Sequence, residues 1–218
     1  MPEGLIPSLG FGVIPSSMQW IWIVDCSDSM RMNRRIDALN TAIKTAIPEI
    51  RKIAEENGTF NMFMRVLKFS TGAEWVTNEN VRISDFEWID LEGGEGATDL
   101  GEAFILLSKA MKSKKEGGLM TDRAKKPYLV LITDGYPTDD WESGLKILMQ
   151  EPWAQRARRI AIGLQGADHE VLKAFIGDRF DKDECLVMVS EDNYEAMAKY
   201  LVNLYFNQFI SDTMIISS

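Results

Sequence analysis

Apolar residues fall along this chain in two kinds of run, which together predict alternating strands and helices. The stretches 20–24 and 128–132 are continuously apolar, which is typical of parallel strands buried on both faces. Apolar residues at helical spacing predict amphipathic helices at 36–57 and 100–111, and Pro48 is expected to kink or split the first of these. Strands alternating with helices of this length indicate a doubly wound α/β sheet.

The remaining segments continue the alternation. Residues 60–70 predict a strand, and 74–77 predict a short strand that pairs with it antiparallel. The elements expected after the strand at 128 are a helix at 141–149, a strand at 159–164, a short helix at 170–175, a strand at 185–189, and a final helix with Tyr194, Met197, Leu201, Leu204 and Tyr205 on one face.

Short clusters of carboxylates and hydroxyls stand where the buried strands end. Asp25, Ser27 and Ser29 follow the first strand, Asp134 follows the strand at 128–132, and Thr98 precedes a predicted helix. Loops that leave the carboxyl ends of parallel strands converge where the strand order reverses. We therefore expect these five side chains to meet as oxygen ligands of one cation.

The ligand chemistry indicates which cation this would be. Hydroxyls and carboxylates suit Mg²⁺, with Mn²⁺ or Ca²⁺ as alternatives. Zinc is not favoured, because the chain has one histidine and two cysteines without ligand spacing. A lone Asp-x-Ser-x-Ser is more often a helix N-cap than a metal site, and it is the joint pattern with Thr98 and Asp134 that favours a metal site.

The same residues carry a family resemblance. Asp25-x-Ser27-x-Ser29, Thr98 within Gly-Ala-Thr-Asp-Leu-Gly, and Asp134 before a glycine resemble a von Willebrand factor A (VWA) domain with its metal-ion-dependent adhesion site, over essentially the whole chain. The resemblance implies a three-layer, Rossmann-like fold around a mostly parallel six-stranded sheet with one antiparallel edge strand. It also implies that the serines and threonine bind the metal directly, that the aspartates bind directly or through water, and that an open position accepts a partner's carboxylate.

Two details refine this resemblance. The stretch Leu-Ile-Thr-Asp-Gly-Tyr-Pro-Thr-Asp at 131–139 is most similar to the bacterial TerY-like branch, associated with tellurite resistance and stress signalling. That similarity implies an adaptor whose partner is a kinase or phosphatase. Asp28 stands where the family usually has glycine, so it either strengthens cation attraction or has to adopt a positive φ.

Composition and charge narrow the function further. The net charge of −9 argues against nucleic-acid binding, which requires a basic face. No export signal or bilayer-length apolar run is present, and two cysteines fit reduced thiols, so we expect a cytoplasmic domain without membrane contact. We divide the chain into an N-terminal extension at 1–17, a VWA domain at 18–210 and a tail at 211–218.

Three functional classes remain open. We favour a non-enzymatic, metal-dependent protein-interaction domain. The alternative is a Mg²⁺-dependent phosphotransferase of the haloacid dehalogenase type with Asp25 as nucleophile, although Ser27 stands where that chemistry needs a second carboxylate. A Ser-His-Asp triad would require His169, which a surface position at a helix start explains more simply. Apart from the interaction domain and the phosphotransferase, the third class that remains open is a scaffold protein whose metal site stays empty.

The residues around the predicted cation indicate the partner's surface. Acidic side chains would form the rim of the site: Asp28, Glu95, Asp99, Asp139 and Asp140. A partner that offers one central carboxylate should therefore surround it with Lys or Arg.

Basic and aromatic residues complete this predicted surface. Arg31, Arg34 and Arg35 either grip acidic groups of the partner or form a solvated helical turn. The candidate aromatic anchors, each of which could equally fill the core, are Tyr136, Trp141 and Trp88.

Overall fold

The structure is a computed structural model that describes residues 16–57, 60–94, 96–178, 185–189 and 197–203. Its strands are β1 (Ser16–Asp25), β2 (Phe60–Ser70), β3 (Gly72–Trp75), β4 (Val81–Arg82), β5 (Tyr128–Thr133), β6 (Arg158–Leu164) and β7 (Leu186–Val189). Its α-helices are α1 (Arg35–Asn57), α2 (Leu100–Ala110), α3 (Trp141–Leu148), α4 (Pro152–Arg156) and α5 (His169–Ile176), and residues 197–203 are also helical. A 3₁₀ segment, Asp28–Arg34, joins the loop after β1 to α1.

The sheet confirms the predicted fold class. Among the described residues, six strands follow the order β3-β2-β1-β5-β6-β7, and a seventh, β4, pairs with β2 off this path. The pairs β1–β2, β1–β5, β5–β6 and β6–β7 are parallel, whereas β3 and β4 pair antiparallel with β2. Strand β4 was not predicted, because two residues are too short for a periodic pattern.

Two hydrophobic layers enclose the sheet, which explains why β1 shows no polar alternation. Trp20 and Trp22 pack on the face covered by α1 and by residues 197–203, while Ile21 and Ile23 pack on the opposite face. That opposite face is covered by α2, α3, α4 and α5. Every residue of β1 from Met18 to Asp25 is buried, so the strand is apolar on both sides.

Helix α1 runs through Pro48 as one element and is not split. Pro48 lies on the exposed face, where water can satisfy the carbonyl group of Lys44 that has lost its helical partner. Buried residues on both sides of it, including Ile47 and Ile50, hold the helix against the sheet. Packing of this apolar face therefore outweighs the local cost of the proline.

Other expectations are met in part. Met197 and Leu201 of the predicted final helix are helical and buried, while the other members of that face lie outside the described residues. Helix α4 was not predicted, although Pro152 at its first position is a usual start signal. Among the described helices, none has the length and apolar character needed to cross a bilayer.

Candidate metal centre

The sheet topology brings the predicted ligands to one edge. Strands β1 and β5 are parallel neighbours, with Val24 beside Ile132, so Asp25 and Thr133 end their strands side by side. From β1 the chain continues to β2 on one side, and β5 leads to β6 and β7 on the other. The carboxyl ends of β1 and β5 thus border the crevice at which open α/β sheets bind ligands.

Asp25 is a buried carboxylate that organises the first loop. It is 0% exposed, and its Oδ1 accepts a hydrogen bond of 2.8 Å from the backbone N–H of Ser27. The hydroxyl group of Thr133 donates to its Oδ2. Burial raises the pKa of Asp25, and these hydrogen bonds offset part of that rise. The carboxylate therefore fixes Ser27 relative to β5.

A chain of hydroxyls links the two aspartates. Ser27 Oγ lies 3.0 Å from Ser29 Oγ, and Ser29 Oγ donates to Asp134 Oδ1 at 2.7 Å. Ser27, Asp134 and Asp25 are all buried, and Ser29 is half-buried. Residues more than 100 positions apart in the sequence are therefore in direct contact.

Thr98 reaches the same place from the third loop. Its backbone N–H donates to Thr138 Oγ1 at 2.8 Å, and its carbonyl accepts from the backbone N–H of Thr138 at 3.0 Å. This two-way contact holds the loop before α2 against the loop after β5. The Thr98 side chain is buried at the junction.

Gly135 marks the point on which the oxygens converge. A Cβ atom placed on Gly135 would lie 3.6 Å from Ser29 Oγ, 3.6 Å from Thr98 Oγ1 and 3.8 Å from Asp25 Oδ2. Two oxygens from the end of β1 and the loop after it, and one from the loop before α2, therefore surround a small space beside Gly135, which a methyl group would fill. We call this space the Gly135 cradle.

The donor set fits a hard divalent cation. The five side chains supply two carboxylates and three hydroxyls, which is the chemistry preferred by Mg²⁺ and related ions. Within the described part of the chain there is no group of three or more His, Cys, Asp or Glu side chains able to hold a metal. A metal at this edge would be held by hydroxyls together with the two aspartates, without the sulfur or nitrogen ligands typical of structural zinc sites.

Two of the acidic residues predicted at the rim make structural hydrogen bonds. Asp139 accepts from the backbone N–H groups of Gly101 and Glu102, both at 3.0 Å, and so satisfies the first turn of α2. Asp99 accepts from Gly72 N at 2.7 Å, which ties β3 to the start of α2. Gly101 has to be small, because a Cβ there would lie 2.7 Å from the carbonyl oxygen of Asp140.

The other predicted partner residues divide into exposed and internal ones. Asp28, Arg31 and Tyr136 are exposed, while Glu95 lies outside the described residues. Positive φ among described non-glycine residues occurs at 33 and 34 only, so Asp28 does not need that conformation. Trp88 is buried and donates to Asn40 Oδ1 at 3.0 Å, so it fills the core.

The other residues considered from the sequence lie in different parts of the structure. Trp141 is half-buried against the second hydrophobic layer. His169 is exposed as the first residue of α5, as the surface reading predicted. Cys26 and Cys185 are both buried.

Sequence reasoning missed three residues that complete the centre. Thr133 and Thr138 hold Asp25 and Thr98, and their positions within four residues of Asp134 were the signal available in the sequence. Arg35 was predicted to contact the partner or to belong to a solvated helical turn, but its guanidinium donates to Asp134 Oδ2. Nothing local in the sequence indicates that this side chain turns inward.

Comparisons with known proteins identify the fold. No family model matches the sequence, and no curated protein matches it. Among solved structures, the chain is similar to proximal thread matrix protein 1 from the mussel byssus (TM-score 0.61, 18% identity, covering 88% of this chain and 48% of that one). It is also similar to a von Willebrand factor type A protein from Catenulispora acidiphila (TM-score 0.57, 15% identity, covering 87% and 43%).

These similarities show a VWA-like α/β fold. The chain spans about half the length of the structures it matches, with 48% and 43% of them covered. One further structure of the mussel protein, similar at TM-score 0.58 and 17% identity over 87% of this chain and 48% of that one, is described as having a zinc-occupied MIDAS (metal-ion-dependent adhesion site) motif.

Proposed function

We propose that this domain is a non-enzymatic protein-interaction module that recognises its partner through a divalent cation. The cation would be held by Asp25, Ser27, Ser29, Thr98 and Asp134. The observation that carries the proposal is the Gly135 cradle, where oxygens from the end of β1 and the loop after it and from the loop before α2 face one small space beside the loop after β5. When bound, the ion supplies a coordination position for an Asp or Glu of the partner. Mg²⁺ suits these oxygens best, with Mn²⁺ and Ca²⁺ as alternatives.

The surface around the cradle supports protein recognition. Tyr136 is 66% exposed and Met32 is 59% exposed, and each lies within three residues of a proposed ligand. Contiguous exposed apolar surface beside a polar centre is typical of protein interfaces, and these two side chains would contribute to such a surface. Asp28 and Arg31 are exposed in the same segment as Met32. A partner with one carboxylate, apolar contacts and a basic rim would match this surface.

The phosphotransferase alternative is less well supported by the environment of Asp25. A nucleophilic carboxylate has to reach its substrate, but Asp25 is 0% exposed and both of its oxygens accept hydrogen bonds. Ser27 remains where that chemistry needs an acid, and it cannot protonate a leaving group near neutral pH. This environment favours a role for Asp25 in positioning Ser27 over a role as a nucleophile.

The biological setting rests on the sequence resemblance and on the compared structures. A related fold with a zinc-occupied MIDAS motif supports metal binding at this edge of the sheet. The TerY-like stretch at 131–139 supports an adaptor role in bacterial stress or tellurite-resistance signalling with a kinase or phosphatase partner. This setting stays a prediction.

The proposed ion is tested by thermal unfolding with and without metal. Mg²⁺ or Mn²⁺ should raise the melting temperature of the wild type relative to excess chelator, because a ligand that binds only the folded state stabilises it. Thr98→Ala removes one oxygen and should abolish the shift, while Thr98→Ser keeps the hydroxyl and should retain it.

Gly135→Ala gives a sharper test, because it removes no oxygen. Its methyl group meets only ordinary contacts of 3.6 Å or more in the metal-free site, and Gly135 does not have a positive φ. The variant should therefore fold normally and lose the metal-induced shift. An unchanged shift in both Gly135→Ala and Thr98→Ala would refute the proposed site.

Partner recognition is tested by capture from native lysate. Immobilised wild type in Mg²⁺ should retain a protein that is released by chelator and absent from the Gly135→Ala matrix. Synthetic peptides from that protein, with Asp or Glu changed to Asn or Gln, then identify the carboxylate. Retention that is equal in Mg²⁺ and in chelator would argue against recognition through the ion.

A further inference from the structure

Arg35, the first residue of α1, points its guanidinium into the candidate metal centre. Its Nη1 donates to Asp134 Oδ2 in a short, charge-assisted contact. The side chain of Asp134 is 0% exposed and that of Arg35 is 12% exposed, so water screens this ion pair weakly. The Arg35–Asp134 ion pair therefore differs from the exposed ion pairs on the protein surface.

Two carboxylates are buried in this centre, so a positively charged side chain is needed to stabilise them when no metal is bound. Asp25 and Asp134 lie in one centre, linked through Ser27 and Ser29. A buried charge without a partner is strongly destabilising. Arg35 supplies one positive charge to this centre from within the chain.

The contacts of Asp134 also oppose the entry of a metal. Its Oδ1 accepts from Ser29 Oγ, and its Oδ2 accepts from Arg35. A divalent ion has to compete with the first of these donors for an oxygen, and it has to approach a fixed positive charge. Like charges in a weakly screened site repel.

We propose that Arg35 is a built-in counter-ion of this centre, which stabilises the metal-free domain and lowers the affinity of the site for a divalent cation. The inference rests on the proposed function and deepens it, because it assigns the metal affinity to a residue outside the ligand set. The domain would then fold without metal and take up the ion only at concentrations above those that an unopposed site requires.

The neighbouring arginine provides a matched control. Arg34 carries the same charge one position earlier, but its side chain is 85% exposed and pairs with Asp37 at 2.8 Å. Arg34→Gln therefore removes one charge from the same segment without changing the contacts of Asp134. A general effect of net charge would appear in both variants, whereas the proposed effect appears in one.

The experiment is a calorimetric titration of wild type, Arg35→Gln and Arg34→Gln with Mn²⁺ and with Mg²⁺ at constant pH and ionic strength. Arg35→Gln should bind each ion about ten- to a hundredfold more tightly than wild type, the range expected for removing a nearby unit charge from a partly screened site. Arg34→Gln should bind within about threefold of wild type. Arg35→Lys keeps the charge with a shorter reach and should lie between wild type and Arg35→Gln.

A second measurement reports on the metal-free state. In chelator, Arg35→Gln should melt below wild type, and in saturating Mn²⁺ the difference should shrink or reverse. If the Gln variant does not fold without metal, the affinity of Arg35→Lys decides by the same criterion. Equal metal affinity in wild type and the Arg35 variants would overturn the proposed role of Arg35, but not the proposed metal site. Absence of metal binding in all variants would overturn the proposed function as well.

Discussion

The hydrogen bonds of Asp139 lead to a prediction that distinguishes two roles of this residue: a structural role in holding the start of α2, which we call bracing, and a role in partner binding. Its carboxylate accepts from the backbone N–H groups of Gly101 and Glu102, both at 3.0 Å, at the start of α2. Thr98 lies in the loop just before that helix. Replacing Asp139 by Ala leaves both N–H groups without this acceptor and loosens the loop that carries Thr98.

The expected loss of stability in Asp139→Ala follows from the hydrogen bonds that the substitution removes. Loss of a capping side chain costs about 0.5 to 2 kcal/mol of stability, and hydrogen bonds to a charged group contribute about 1.5 to 3 kcal/mol each where they are buried. Asp139 is half-buried, so we expect a total cost of about 2 kcal/mol. For a domain of this size, that lowers the melting temperature by about 4 to 8 °C.

Thermal unfolding followed by circular dichroism in chelator measures the cost, and repeating it in Mg²⁺ measures the loss of the metal-induced shift. Asp139→Asn keeps one acceptor oxygen and should lose about half as much as Asp139→Ala. Asp122→Ala is the matched control, because Asp122 is 82% exposed and pairs with the exposed Lys115 at 3.1 Å. Its cost should stay below about 0.5 kcal/mol. A melting temperature for Asp139→Ala within 1 °C of wild type would refute the bracing role and return Asp139 to the partner surface.

Two further predictions concern stability. Burial raises the pKa of the Cys26 thiol to about 12 from an ordinary value of 9.0, so the folded state keeps a proton that the unfolded chain loses. Stability should fall as the pH rises from 9 towards 12, by about 1.4 kcal/mol per pH unit, and urea unfolding at pH 8 and pH 10 should show a smaller decline for Cys26→Ala than for wild type. Trp88→Ala should cost about 3 to 5 kcal/mol in urea unfolding, because it empties a core position, whereas Tyr136→Ala should stay within about 0.5 kcal/mol; equal losses in the two variants would contradict their assignment to core and surface.

The sequence predicted the framework of the site well because the signals were local. Continuous apolar runs identified β1 and β5, and the polar residues directly after them had to emerge at one edge of a parallel sheet. The juxtaposition of Asp25, Ser29 and Asp134 follows from that rule and from strand order. The helix at α1 was equally clear, although the effect of Pro48 depended on which face of the helix it occupies.

The contacts between loops were not accessible in the same way. Asp99 and Asp139 belong to polar loops, and a polar residue in a loop is as consistent with an exposed rim as with a cap on a distant helix. The partner N–H groups of Asp139 lie 38 and 37 positions earlier in the chain. The inward turn of Arg35 depends likewise on a conformation that the sequence does not indicate, since the residues before it, Asn33 and Arg34, adopt positive φ angles of 51° and 56°.

The charges gathered at the centre connect the proposed metal to the proposed partner. With both carboxylates ionised, Asp25, Asp134 and Arg35 together carry a single net negative charge. An acidic group of a partner is repelled from such a centre. A divalent ion reverses the sign to a single net positive charge, and without Arg35 the loaded centre would be only neutral. Removing Arg35 should therefore tighten metal binding and weaken the subsequent binding of a partner carboxylate, two effects of opposite sign that a simple loss of structure would not produce.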